Sequence, residues 1–340
     1  MKGQWLGSTL VLVGVAGWLA VPAIAGQSPY DAPAAQSSKS SKPAKPAPRN
    51  ADGHADLNGI WSFATATPVE RATEFGTKLF LTDEEAAQYA SRVVDGRDKD
   101  KRSADPEADV ASAYNDFWWD QGNKLIENRT SLVVDPPDGR IPVLTAEAQR
   151  ANAERARYLK VHPTDGPENR NLSERCLVGF SSGPPFGPSA YNNNVHLFQT
   201  RDYAVILTEM IHTVRMVPLD GRPHVNSAIR EWSGDSRGHW EGDTLVVETT
   251  NFRPDITGAR SIKPETFRLV ERFTRVSEDT VMYEYTMNDP TTWTRPWSVQ
   301  LPMTKSGSPI YEYACHEGNR AMENMLKGAR AEERGSKTAQ

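Results

Sequence analysis

Only two cysteines, Cys176 and Cys315, occur in 340 residues. No CxxC or CxxCH string can be built from them, which argues against a zinc ribbon and a c-type haem attachment. Neither sign of charge forms a long run, and the formal net charge is −5. The clustered basic face of a nucleic-acid binder is therefore missing. After residue 25 no apolar stretch approaches the length needed to cross a bilayer. HExxH, the Walker phosphate loop and the GxGxxG dinucleotide string are absent too. What remains is an ordinary globular composition, 38% hydrophobic and 24% charged, with Gly and Pro at 24 each. That abundance of turn formers suits many short strands.

Residues 1–25 read as a secretory signal: Lys2, a short apolar core, then the small-x-small site Ala23-Ile24-Ala25, with the mature chain starting near Gly26. An uncleaved anchor is the alternative. Residues 26–55 are rich in Ser, Pro, Ala and Lys, cannot bury enough surface to offset their ordering entropy, and are expected to be a disordered tether. Residues 56–340 form the expected single globular domain. An exported chain, periplasmic or extracellular, meets an oxidising compartment, so Cys176 and Cys315 are expected to pair. In the chain-entropy model so long a loop gives roughly 4 to 5 kcal/mol before strain. A catalytic thiol or two unpaired buried thiols are the alternatives.

Residues 56–193 read as mixed α/β. "DLNGIWSF" predicts a strand. Thr82 with Glu85 is a capping box opening a helix. "ADVASAYNDFWWDQG" predicts a second helix with Tyr114, Phe117 and Trp118 on one face, and Thr145 starts another. Residues 194–303 are rich in Val, Ile, Thr, Tyr and Trp, with turn signals between short runs, including "TEMIHTVRM" and "SAIREWSG". Short connections imply antiparallel neighbours, and strands in such number must hide their edges. The expected fold is mainly β: an antiparallel lipocalin-like barrel or curled meander sheet, with N-terminal helical insertions and a C-terminal helix beginning near Glu317 within 304–340.

Polar stretches mark candidate chemistry. Read as one strand, "TEMIHTVRM" puts Glu209 and Arg215 on one face, and a bulge near Met210 would bring His212 to the same side. A structural Glu–Arg pair is the competing reading. His224 sits after the Asp220-Gly221 turn, where a barrel mouth would lie. Trp232, Asp235 and Trp240 crowd a third stretch, and with Trp293 and Trp297 could form a contact surface. His316, Glu317 and Asn319 follow Cys315 directly. A disulfide would clamp them against the loop holding Asn192 and Asn193, at one end of the barrel. The seven histidines show no metal-binding spacing. No cofactor is expected, and a histidine-bound transition metal is kept as a secondary option.

At "DPPDGRIPVLT", "ERCLVGFSSGPP", "EMIHTVRMVPLDGRPH", "GDSRGHWEGDTLVVETTNF", "VERFTRV", "DPTTWTRPW" and "YEYACHEGN" the chain resembles a family of uncharacterised exported bacterial proteins. The likeness runs from about residue 55 to residue 333. It implies secretion and a single globular unit, and it carries no activity or catalytic residue.

Two functions compete. One is an exported enzyme, hydrolase or lyase, acting on a small polar or aromatic molecule. His212 or His316 would be general base, Glu209 or Glu317 its partner, and Arg215 the anchor for negative charge. The other is a non-catalytic periplasmic protein binding a small ligand at the barrel mouth. No nucleic-acid partner and no membrane span after signal cleavage are expected.

Overall fold

Strict alternation builds the sheet. In "TVMYEYTMN" (Thr280–Asn288), Val281, Tyr283, Tyr285 and Met287 are buried while the residues between them are half-exposed. That is the period-2 signature of a strand with one face on a core. The computed structural model describes residues 47–97, 104–107, 120–179, 182–254 and 263–338. The expected helix "ADVASAYNDFWWDQG" falls almost wholly outside them.

Ten strands are described: β1 Gly59–Ser62, β2 Val133–Asp135, β3 Asn194–Gln199, β4 Tyr203–Thr208, β5 Val214–Pro218, β6 Asp235–Glu241, β7 Thr244–Thr250, β8 Arg268–Ser277, β9 Thr280–Asn288 and β10 Trp297–Lys305. Nine lie in the order β5-β4-β3-β1-β10-β9-β8-β7-β6, and β2 adds to β10. All named ladders are antiparallel. The sheet curls until β5 and β6 approach, giving a nearly closed barrel. No ladder joins those two strands among the described residues. Side chains close the seam instead: a Cβ at Gly238 of β6 would lie 2.7 Å from Leu219 Cδ2 and 2.9 Å from Val217 Cγ1. Glycine is the residue that lets β5 side chains rest on the β6 backbone.

The barrel interior is filled. Trp61, Phe63, Phe273 and Tyr283 are buried within it. Phe186, from the loop between Cys176 and β3, inserts among them and stacks on Tyr283 with ring centroids 4.1 Å apart. A void lined by Leu197, Ile206, Leu245 and Phe273 holds about 10 Å³, room for one water at most. Trp293 and Trp297 are buried as well, packed edge to face at 5.7 Å, so neither offers a contact surface.

Among the described residues three α-helices accompany the sheet: α1 Asp83–Arg97, α2 Ala146–Val161 and α3 Ala321–Thr338. The capping box forms as expected. Glu85 Oε2 accepts from Thr82 N at 2.8 Å, and Glu85 N donates to Thr82 Oγ1 at 3.2 Å. Thr145 caps α2 by accepting from Ala148 N. Residues 47–55, expected in the tether, form a short structured loop here. Arg49 pairs with Asp243 at 2.7 Å and His54 stacks on Trp240 at 4.5 Å.

Three local expectations need correction. "SAIREWSG" is no strand; only Glu231 makes an isolated bridge, to Phe252. "TEMIHTVRM" is not continuous, because Met210–His212 form a 3-10 turn with Ile211 at φ 59° and His212 at φ 37°. The C-terminal helix begins at Ala321, four residues beyond Glu317. Asn319 supplies its first acceptor, to Ala321 N at 3.0 Å.

One buried acid at the end of β9 gives a pH-dependent stability term. Burial pushes the Asp289 carboxyl up, but hydroxyls of Thr292, Thr291 and Thr266 and the Thr291 N–H outweigh it, holding it below its ordinary value. A depressed carboxyl stabilises fully above its unfolded value and loses that contribution as pH falls through the folded one. The stability gap between wild type and Asp289→Asn is expected to stay constant above about pH 5 and to close below about pH 4. A gap that widens toward acid in urea titrations would contradict this.

Candidate functional site

The expected catalytic residues do not assemble. Arg215 lies 6% exposed inside the barrel and reaches across it to Glu271 on β8, at 2.6 and 2.9 Å. Tyr283 donates to the same carboxylate at 2.7 Å. Burial, then the Glu271 charge, push the Tyr283 phenol well above its ordinary value, so it stays an O–H donor. The partner of Arg215 is thus Glu271 and not Glu209. Glu209, also buried, accepts from Asn194 Nδ2 at 2.7 Å and Tyr311 N at 3.1 Å. His212 is exposed on its left-handed turn. His316 and Glu317 are exposed ahead of α3, with no described side-chain partner.

The disulfide does form. Cys176 and Cys315 are bonded, their Cα atoms 5.7 Å apart. It joins the two polar segments at the end of the barrel where β3 begins and β4 ends. Tyr191 and Tyr313 rings face each other at 6.2 Å, and Asn319 Nδ2 donates to Cys176 Sγ at 3.2 Å. Asn193 is fully buried there, bonded to Ser189 and Asp120, and Asn192 turns the chain with φ 58°. Both act as loop scaffolding in this arrangement.

One string outside the expected set also lies in this loop. Gly179–Gly183, "GFSSG", satisfies G-x-S-x-G. Its Ser181 is outside the described residues. The flanking Gly179 and Ser182 sit in an irregular loop closed by Gly179 N to Ser182 Oγ at 3.0 Å. A nucleophile elbow needs a strand-to-helix turn, and among the described residues no helix follows before β3.

A reactive grouping does assemble where β6 begins. The loop from β5 carries His224 back over the sheet, and Nδ1 meets Asp235 Oδ2 at 2.7 Å. In the tautomer that hydrogen-bonds this carboxylate, Nδ1–H donates, and Nε2, which makes no hydrogen bond of its own among the described residues, is the nitrogen that can accept a proton. Asp235 is itself fixed by Arg237 Nη1 at 2.9 Å and Val225 N at 3.1 Å. Nε2 faces Glu248 of β7 at 3.4 Å, and Arg268 of β8 holds that carboxylate at 2.7 Å. Asn251, at φ 58°, ties the loop down through Val225 O and Asn226 O, each at 3.1 Å. The side chains of His224 and Asp235 are 24% and 12% exposed, enclosed yet reachable.

His224 and Asp235 were legible as candidates, while Glu248, Arg268 and Asn251 were not. For Glu248 and Arg268 the only signal is outward alternation: Arg237 and Glu248 are direct cross-strand partners on the outer face. Trp240 is stacked under His54, and Trp232 lies beneath two arginines, Arg253 at 4.5 Å and Arg175 at 5.7 Å. Among the described residues no three His, Cys, Asp or Glu side chains are placed to hold a metal ion. No helix there is long and apolar enough to cross a membrane.

Comparison of the chain with family models, with curated proteins and with solved structures returns no match. The fold and this site define an antiparallel, side-chain-filled barrel with a histidine–carboxylate pair at one end.

Proposed function

We propose that the protein is an exported acid–base enzyme, hydrolase or lyase, acting on a small polar or aromatic molecule with His224 as general base. The observation carrying this reading is the 2.7 Å contact between His224 Nδ1 and a largely buried Asp235. Such a carboxylate fixes the tautomer and ring orientation and leaves Nε2 to accept a proton. In hydrolysis Nε2 takes a proton from water as its oxygen attacks, then returns it to the leaving group. In elimination Nε2 takes a carbon-bound proton as the leaving group departs. The filled interior also favours a site on the surface over a carrier's lumen. The disulfide and the resemblance to exported bacterial proteins support export.

His224→Gln is expected to lower turnover about 100-fold or more, and Asp235→Asn about tenfold, with melting temperatures close to wild type. The measurement is the rate on a panel of chromogenic esters, glycosides and phosphodiesters, with wild type identifying the responsive substrate. Undiminished turnover by a folded His224→Gln variant would remove His224 from the chemistry.

A further inference from the structure

Arginines around the start of β6 are, with two exceptions, neutralised. Arg222, Arg230, Arg237, Arg268 and Arg272 each meet a carboxylate: Asp220, Glu265, Asp235, Glu248 and Glu241. Arg175 and Arg253 have no carboxylate within ion-pair distance among the described residues. Both instead lie over the one indole ring of Trp232, at 5.7 and 4.5 Å.

Stacking explains how each is held. A guanidinium resting on an aromatic face keeps its N–H edges directed outward, in a planar fork that fits a carboxylate or phosphate. It does not explain why two like charges share one ring without a counter-charge among the described residues. Their backbones are also anchored. Arg253 N donates to Glu231 O and Glu231 N to Asn251 O, both at 3.0 Å. Arg175 precedes Cys176, whose disulfide ties that loop to Cys315. Two forks on fixed segments, sharing a platform and lacking a carboxylate among the described residues, are preorganised to receive an anion.

We propose that Arg175 and Arg253, held on Trp232, form a subsite for the oxyanion group of a small ligand, a carboxylate or a phosphate. The subsite stands independently of turnover at His224.

The test uses the disulfide-bonded protein with its tryptophan indoles labelled with ¹⁵N, and Trp232→Phe identifies the Trp232 signal. Acetate, inorganic phosphate and neutral acetamide are titrated separately at constant ionic strength. Acetate, phosphate or both should shift the Trp232 indole saturably, with affinity on the order of millimolar, and acetamide should not. Whichever anion binds more tightly identifies the group the subsite takes. Arg175→Gln/Arg253→Gln should weaken binding about tenfold or more. Should that pair fail to fold, Arg253→Lys at its exposed position carries the test, since a point charge replaces the fork. Equal binding by the variants, equal response to acetamide, or no saturable shift with either anion overturns the proposal.

Discussion

Arg215→Met is expected to lower the unfolding free energy by about 3–5 kcal/mol, the usual result of leaving a buried charge without its partner. Glu271 is fully buried, and its side chain keeps only the Tyr283 hydroxyl once the guanidinium is gone. The pair also spans the barrel, since β5 is one edge of the sheet and β8 lies two strands in from the other. Burial alone would lower the Arg215 guanidinium; the Glu271 charge and hydrogen bonds more than reverse it. The double variant Arg215→Met/Glu271→Gln removes both charges, and Tyr283 can still donate to the new amide oxygen. It should therefore be more stable than Arg215→Met alone, although it carries one more substitution. Urea unfolding of the disulfide-bonded proteins measures both. A single-variant cost under about 1 kcal/mol, or a double variant less stable than the single, would show that Glu271 does not depend on Arg215 for its burial.

Removing the disulfide as Cys176→Ala/Cys315→Ala is expected to cost about 2–5 kcal/mol, because the cross-link closes a loop across a sequence separation of 139. The loss should not be felt evenly. Residues 306–320 form no strand or helix, and of α3 only one face among the residues whose burial is described, Met322, Met325, Leu326, Ala329 and Arg330, is even half-buried. Without Cys315 this arm keeps few ties, chiefly Tyr311 N to Glu209, Asn319 to its neighbours and Arg330 to Thr164 O. The barrel keeps its ladders. Protease should therefore cut between residues 306 and 320 about tenfold faster or more in the cystine-free form, while the barrel survives as one fragment. Equal cleavage rates would mean the arm is held by packing and not by the cross-link.

Local order was readable wherever the interacting groups lie within a few residues. Thr82 and Glu85 are three apart, Thr145 and Ala148 likewise, and the alternation of β9 needs only its own nine residues. From such segments the antiparallel, mainly β character followed. The cysteine pairing was expected on different grounds, from composition and compartment.

What tertiary structure alone decided is which distant side chains meet. Arg215 and Glu271 are 56 residues apart, and only the curl of the sheet brings their inner faces together. Phe186 fills the barrel because its loop folds inward, which no local pattern marks. The bulge that would have brought His212 beside Glu209 does not form, since Ile211 and His212 take left-handed backbone conformations that no period-2 pattern reveals. His224 gained Asp235 through a long loop and Glu248 through strand register. A sequence records the preferences of each segment. Barrel closure and register fix the distances between segments, and chemistry at a site depends on those distances.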